Sequence, residues 1–206
     1  MSILSFHKAA GVILAVLLSQ SYLALSQSKT LTLSDAVLKQ YSDLYPKQLN
    51  QLQWIPNTDA YCYIKELDDS QVLVMNDMAM NESVNLISLV ELYFSVSSNP
   101  EFKKFPKINW INDNEFWISL KSEYYKIDVK SRKAILSFTL PETANDITFN
   151  DDFSACAFVL DRNLYYLMEN GTQIQITSDG KPGIVYGQAV HRSEFGIQGG
   201  LFWAPD

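Results

Sequence analysis

From residue 49 onward, apolar residues come in short runs, many alternating with polar ones, and turn-forming residues bound each run. Successive side chains of a strand point to opposite faces, so this pattern predicts short β-strands. One unit shows it cleanly: residues 116–120, the turn Lys121-Ser122-Glu123, residues 124–128, the turn Lys130-Ser131-Arg132 and residues 134–138 read as three strands. Residues 155–159, the turn Asp161-Arg162-Asn163, residues 164–167, the turn Asn170-Gly171 and residues 173–177 repeat the theme. Gly171 and Gly180 are expected where the backbone needs positive φ. Trp54, Trp110, Phe149 and Trp203 each stand just before a turn cluster, at intervals of 56, 39 and 54 residues. The middle interval matches a four-stranded propeller blade, and insertions account for the longer ones. The predicted fold is all-β: a partial β-propeller of about three blades plus the start of a fourth. Aromatic residues at blade positions are expected to pack between sheets, in preference to binding sugars.

Two stretches depart from the strand pattern before the last unit. Val37, Leu38, Tyr41, Leu44 and Tyr45 follow helical spacing, with Ser34 as the expected N-cap, Asp35 in the first turn and Pro46 as the stop. Leu86, Leu89, Val90, Tyr93 and Phe94 fall at i, i+3, i+4, i+7 and i+8, which predicts an inserted helix ended by Ser97-Ser98-Asn99-Pro100. That helix is expected to lie against the propeller's rim.

Composition narrows the class. The chain has 206 residues, is 47% hydrophobic and 13% aromatic, and carries a formal charge of −7, all typical of a globular protein. With no Lys/Arg-rich run, a nucleic-acid surface is disfavoured, whereas cationic or amine-bearing ligands suit the charge. At the start, Lys8 precedes the apolar run 9–18, and Ala24-Leu25-Ser26 offers small residues. Residues 1–26 therefore read as a signal peptide, whose removal deletes Lys8 and takes the net charge from −7 to −8. An exported protein, periplasmic or at the cell surface, is expected. Cys62 and Cys156 are the two cysteines, 94 positions apart, and read as small buried hydrophobes. Beyond the signal region His191 is the one histidine, with no metal-ligand spacing around it, so neither metal nor cofactor is expected. The Asn81-Glu82-Ser83 and Asn170-Gly171-Thr172 sequons matter only in a host that glycosylates them.

Catalytic motifs are missing as well. There is no Gly-x-Ser-x-Gly elbow and no defensible Ser/His/Asp set, so no catalytic residue is assigned within the chain. What breaks the β rhythm is the irregular stretch 184–198, between the last strand of the third unit and Phe202-Trp203. A long excursion inside a compact repeat fold points to function, and Val190, Phe195 and Ile197 argue against disorder. Its prominent carboxylate is Glu194. A carboxylate held in a partly dehydrated loop accepts charge-assisted hydrogen bonds from a primary ammonium, worth about 1.5–3 kcal/mol each.

The run Gly187-Gln188-Ala189-Val190-His191-Arg192-Ser193-Glu194-Phe195-Gly196-Ile197, with Phe202-Trp203-Ala204-Pro205 after it, resembles the N-terminal propeller of the dipeptidyl peptidase IV family of the prolyl oligopeptidase clan. It is most similar to the bacterial prolyl tripeptidyl aminopeptidase branch. The resemblance runs from Leu31 onward and implies an eight-bladed propeller capping a C-terminal α/β-hydrolase domain. It implies that Glu194 faces the central cavity and binds the terminal ammonium of peptides cut after proline. Mammalian-type dipeptidyl members carry a Glu-Glu pair here, whereas Ser193 precedes Glu194 in this chain, a departure that fits a different N-terminal register such as tripeptide release. His191 and Arg192 read as polar supports of the loop.

The chain is thus divided into a signal peptide (1–26), a helical lead-in (27–48) and an incomplete propeller (49–206). The expected whole is an exported serine exopeptidase releasing di- or tripeptides, its nucleophile, acid and base lying in a hydrolase domain outside this sequence. The expected partners are peptides with a free amino terminus and nearby proline, and that hydrolase domain; homodimer formation is left open. The isolated chain should be inactive and prone to aggregation. The competing reading is a non-catalytic propeller that binds a peptide or protein through its central face.

Overall fold

A computed structural model describes residues 30–46, 48–96, 103–189, 194–197 and 199–204; the signal peptide and the 97–100 helix stop lie outside these. The chain divides into two compact units, Met1–Gln48 and Leu49–Asp206.

In the first unit, α1 spans Leu33–Leu38. Its N-cap is Thr32, and Ser34 lies inside the helix: Thr32 Oγ1 accepts from Asp35 N at 3.1 Å while Thr32 N donates to Asp35 Oδ2 at 3.0 Å. This reciprocal capping box outcompetes Ser34, which has no carboxylate three residues on. The helix stops at Leu38 with Lys39 as its C-cap, well short of Pro46. Val37, Leu38 and Tyr41 are exposed, so no buried apolar face extends it.

The second unit is built of three four-stranded antiparallel sheets, each a simple meander in chain order. Sheet 1 contains β1 (Asn50–Trp54), β2 (Ala60–Glu66), β3 (Gln71–Asp77) and β4 (Glu82–Ser88). Sheet 2 contains β5 (Asn109–Trp110), β6 (Glu115–Leu120), β7 (Glu123–Asp128) and β8 (Lys133–Thr139). Sheet 3 contains β9 (Asn145–Phe149), β10 (Ala155–Leu160), β11 (Asn163–Met168) and β12 (Gln173–Gln175). These are three blades of a partial β-propeller. Trp54, Trp110 and Phe149 each end the first strand of their sheet, so the aromatic rhythm marks blade starts.

Sheet 2 is the filling between its neighbours, and alternation divides its side chains between two cores. Phe116, Ile118, Tyr125 and Ile127 pack with Cys62, Ile64, Leu73 and Ile87 of sheet 1. Tyr124 and Phe138 turn the other way, onto Phe153, Cys156 and Phe158, with Trp117 against them. Trp117 stacks on Phe153 with ring centroids 5.2 Å apart, and Phe149 lies 4.6 Å from Phe153. Both cysteines are free and fully buried, one in each core, and Trp110 Nε1 donates to Cys62 Sγ at 3.2 Å. A polar tie joins sheets 2 and 3: Lys126 Nζ lies 3.1 Å from Glu169 Oε1, which also accepts from Ser137 Oγ at 2.9 Å.

Several expectations need correction. The inserted helix, α2, spans Leu89–Ser95; Leu86 belongs to β4, where it is buried. The Ser88/Glu91 capping box sets this start, with Glu91 N donating to Ser88 Oγ at 3.2 Å and Ser88 N to Glu91 Oε2 at 2.8 Å. These bonds from Ser88 hold the Glu91 carboxyl below the usual range, helped by Arg132, whose Nη1 is 2.6 Å from Glu91 Oε1. Leu92 of α2 is buried in the first core, so the helix lies on the blades, while Val90 and Phe94 face out. Trp54 does not pack between sheets: 64% exposed, it lines a cavity of about 500 Å³ with Leu49, Leu52, Tyr61 and Met78 on the outer face of sheet 1. Phe202 and Trp203 lie in no strand, although the Trp203 ring sits 6.0 Å from Tyr166.

Candidate functional site

The irregular stretch is anchored at the turn between β10 and β11. Leu160 pairs with Asn163 across the two-residue turn Asp161-Arg162, whose φ values of 48° and 67° belong to a tight hairpin. Asn163, nearly buried, then organises the chain leaving β12. Its Oδ1 accepts from Gly180 N at 2.9 Å and from Thr177 Oγ1 at 3.3 Å, and Thr177 Oγ1 accepts from Leu164 N at 3.0 Å. Tyr186 N donates to Arg162 O at 3.1 Å, and Tyr186 Oη to Asp179 Oδ1 at 2.7 Å, a bond that raises the phenol above its usual range. Gly180 is required here, but not for the expected positive φ. A Cβ on it would lie 2.7 Å from Arg162 O and 2.8 Å from Asn163 Oδ1, so glycine permits close approach to the hairpin turn.

Beyond this anchor the loop narrows to a neck. Gly187, at φ 71°, leaves space that a Cβ would share with Val159 Cγ2 at 2.6 Å and Leu201 Cδ2 at 3.2 Å. Gly200 presses on the opposite side of the loop, where a Cβ would lie 2.4 Å from the Gln188 carbonyl carbon and 2.6 Å from Ala189 N. The outgoing and returning chains therefore meet backbone to backbone, an approach that any larger residue blocks. Between these two stems in sequence lies Glu194.

Glu194 opens a four-residue turn. Ile197 N donates to Glu194 O at 2.9 Å, with Phe195 at φ 52° and Gly196 at φ 75° between them. Two positive φ values in succession are the signature of a type I′ turn, which suits Gly at the second central position but not a bulky aromatic at the first. The Glu194 residue is exposed, and Phe195 is 93% exposed. His191, Arg192 and Ser193 lie outside the described residues. Sequence pattern singles out Glu194 but misses Asn163, Gly187 and Gly200, which shape its loop. The spacing of Gly187 and Gly200 around the irregular stretch is the signal that could have found the neck. Among the described residues no group of three His, Cys, Asp or Glu side chains could hold a metal ion, and no helix is long and apolar enough to cross a membrane.

Comparison with known proteins agrees with this architecture. The family model described as the dipeptidyl peptidase IV (DPP IV) N-terminal region matches residues 94–206. A curated protein of Aspergillus flavus, described as probable dipeptidyl peptidase 4, is 26% identical over 192 residues, covering 87% of this chain and 24% of the relative. Among solved structures, a dipeptidyl aminopeptidase IV of Bacteroides ovatus superposes with a TM-score of 0.62 at 20% identity, over 77% of this chain and 21% of that one. The β-propeller domain of the Trilobed protease from Pyrococcus furiosus gives a TM-score of 0.37 at 13% identity, over 62% and 42%. The chain thus spans about a quarter of the length of the curated relative. Three stacked four-stranded blades, and a family model matched over more than half of the sequence, lead to one conclusion: the chain belongs to the dipeptidyl peptidase IV family and carries part of its N-terminal propeller region.

Proposed function

We propose that the full-length protein is an exported serine exopeptidase releasing di- or tripeptides after proline, and that Glu194 binds the terminal ammonium of its substrates. The observation that carries the reading is the placement of Glu194: an exposed residue in a tight turn, on a loop tied down at Asn163 and pinched at Gly187 and Gly200. A carboxylate on such an anchored loop is oriented before the substrate arrives, which lowers the ordering cost of binding. The net negative charge favours cationic amino termini over acidic partners.

Labour is divided between domains. The hydrolase domain supplies nucleophile, base and oxyanion hole, while Glu194 fixes the amino terminus and so measures how many residues precede the scissile bond. Ser193 in place of the first Glu of a pair shifts that register and favours tripeptide release. In the full-length enzyme, Glu194→Ala should lower kcat/KM on free-amine peptides by about 1.5–3 kcal/mol, roughly 10- to 150-fold, the worth of a charge-assisted hydrogen bond, chiefly through KM. Unchanged kinetics would remove Glu194 from the mechanism. A gene that continues past codon 206 into more blades and then a stop, with no Gly-x-Ser-x-Gly, would instead favour the non-catalytic propeller.

A further inference from the structure

We infer that Phe195 forms the apolar wall against which the side chain of the substrate's first residue packs, making it a specificity-determining residue; this rests on the ammonium role proposed for Glu194. Three observations converge on it. Phe195 is 93% exposed, while Phe116, Phe138, Phe153 and Phe158 are buried between the sheets, so its ring enters neither of the two cores between these three blades. Its backbone sits at φ 52°, in a turn position where Asn, Asp or Gly would fit without strain. A bulky side chain held in such a conformation points to use of the side chain, because the turn gains nothing from it.

The third observation is chemical. The ammonium and the first side chain of a peptide hang on the same α-carbon. A carboxylate that holds the ammonium therefore brings that side chain within reach of the neighbouring residue, whose Cα is about 3.8 Å away. Glu194 and Phe195 are consecutive, and the bond from Ile197 N to Glu194 O fixes the turn that presents them. The pair is suited to peptides with a free ammonium and a large apolar first side chain, and offers a glycine-led peptide only the carboxylate.

The test uses the full-length enzyme and pairs of proline-containing chromogenic peptides differing only in a first residue of Gly or Leu. Wild type should favour Leu in kcat/KM by roughly tenfold or more, since even one methylene in an apolar subsite is worth about tenfold. Phe195→Ala and Phe195→Asn should bring that ratio close to one with the Gly peptide unaffected, and Phe195→Leu should keep most of it. Phe195→Asn fits the turn better than the native residue, so its loss of selectivity is no folding defect. A wild-type ratio near one, or a ratio that survives in both F195A and F195N, overturns the assignment. Glu194→Ala separates the two claims: if it slows both peptides while the ratio survives in F195A and F195N, Phe195 alone falls. If it slows neither, the ammonium reading falls and this assignment with it.

Discussion

Cys62 and Cys156 sit in the second strands of sheets 1 and 3, each fully buried in a different core. Burial pushes the Cys156 thiol up to about 12, and burial likewise raises Cys62 despite the Trp110 hydrogen bond that opposes it. The thiolate is the reactive form, so neither should react with a thiol reagent at pH 8 in the folded chain, and both should react once it is denatured. Rapid labelling of either cysteine in the native protein contradicts this placement. Their apolar role was legible from spacing, since two unpatterned cysteines suggest no bridge. Gln71 was not legible. Polar and at the start of a strand, it nevertheless is buried, accepts from Phe105 N at 2.6 Å and donates to Glu66 Oε1 at 2.6 Å, which fastens the chain entering sheet 2. The sequence shows a glutamine's capacity for hydrogen bonds, but its partner is 34 residues away and depends on how the sheets stack.

At the scale of elements, period and local caps compete. The apolar spacing from Leu86 to Phe94 fits a helix throughout, yet the first residue of that series belongs to a strand. Leu86, buried beside Ile87 near the end of β4, meets the helical series by coincidence of phase, and Ser88-x-x-Glu91 marks the true boundary. Thr32-x-x-Asp35 does the same for α1. Loops are harder, because close approach leaves no periodic trace. Gly199 and Gly200 look alike in sequence, but a Cβ meets nothing within 4 Å at Gly199 and lies 2.4 Å from backbone at Gly200. Gly200→Ala should therefore destabilise by about 1–3 kcal/mol and raise KM in the full-length enzyme by forcing the neck open, with Gly199→Ala near neutral in both. Thermal unfolding and steady-state kinetics of the pair check this, and equal effects of the two substitutions would show that the neck does not constrain the loop.

Among the described residues of the second unit, the three blades form a stack with two packed interfaces, and its two outer faces carry exposed apolar side chains. The face of sheet 1 carries exposed Leu49, Leu52 and Trp54, and sheet 3 with its trailing segment carries exposed Ile174, Ile176 and Phe202. In propellers such faces are the ones that neighbouring blades cover. The repeat of strands and aromatic markers was enough to read the blade architecture, because each blade's pattern is local. Which aromatic residues become core was less legible, since Trp110 and Phe149 occupy internal interfaces while Trp54 lies on the outer one. Strand order puts Glu194 on the segment that follows the third blade, and the proposed function turns on what that carboxylate holds. The most direct measurement is a structure of the full-length protein bound to a proline-containing peptide with a free amino terminus. The peptide nitrogen is expected about 2.7–2.9 Å from a Glu194 carboxylate oxygen. A terminal ammonium held by another group, with Glu194 turned away from the peptide, would contradict it.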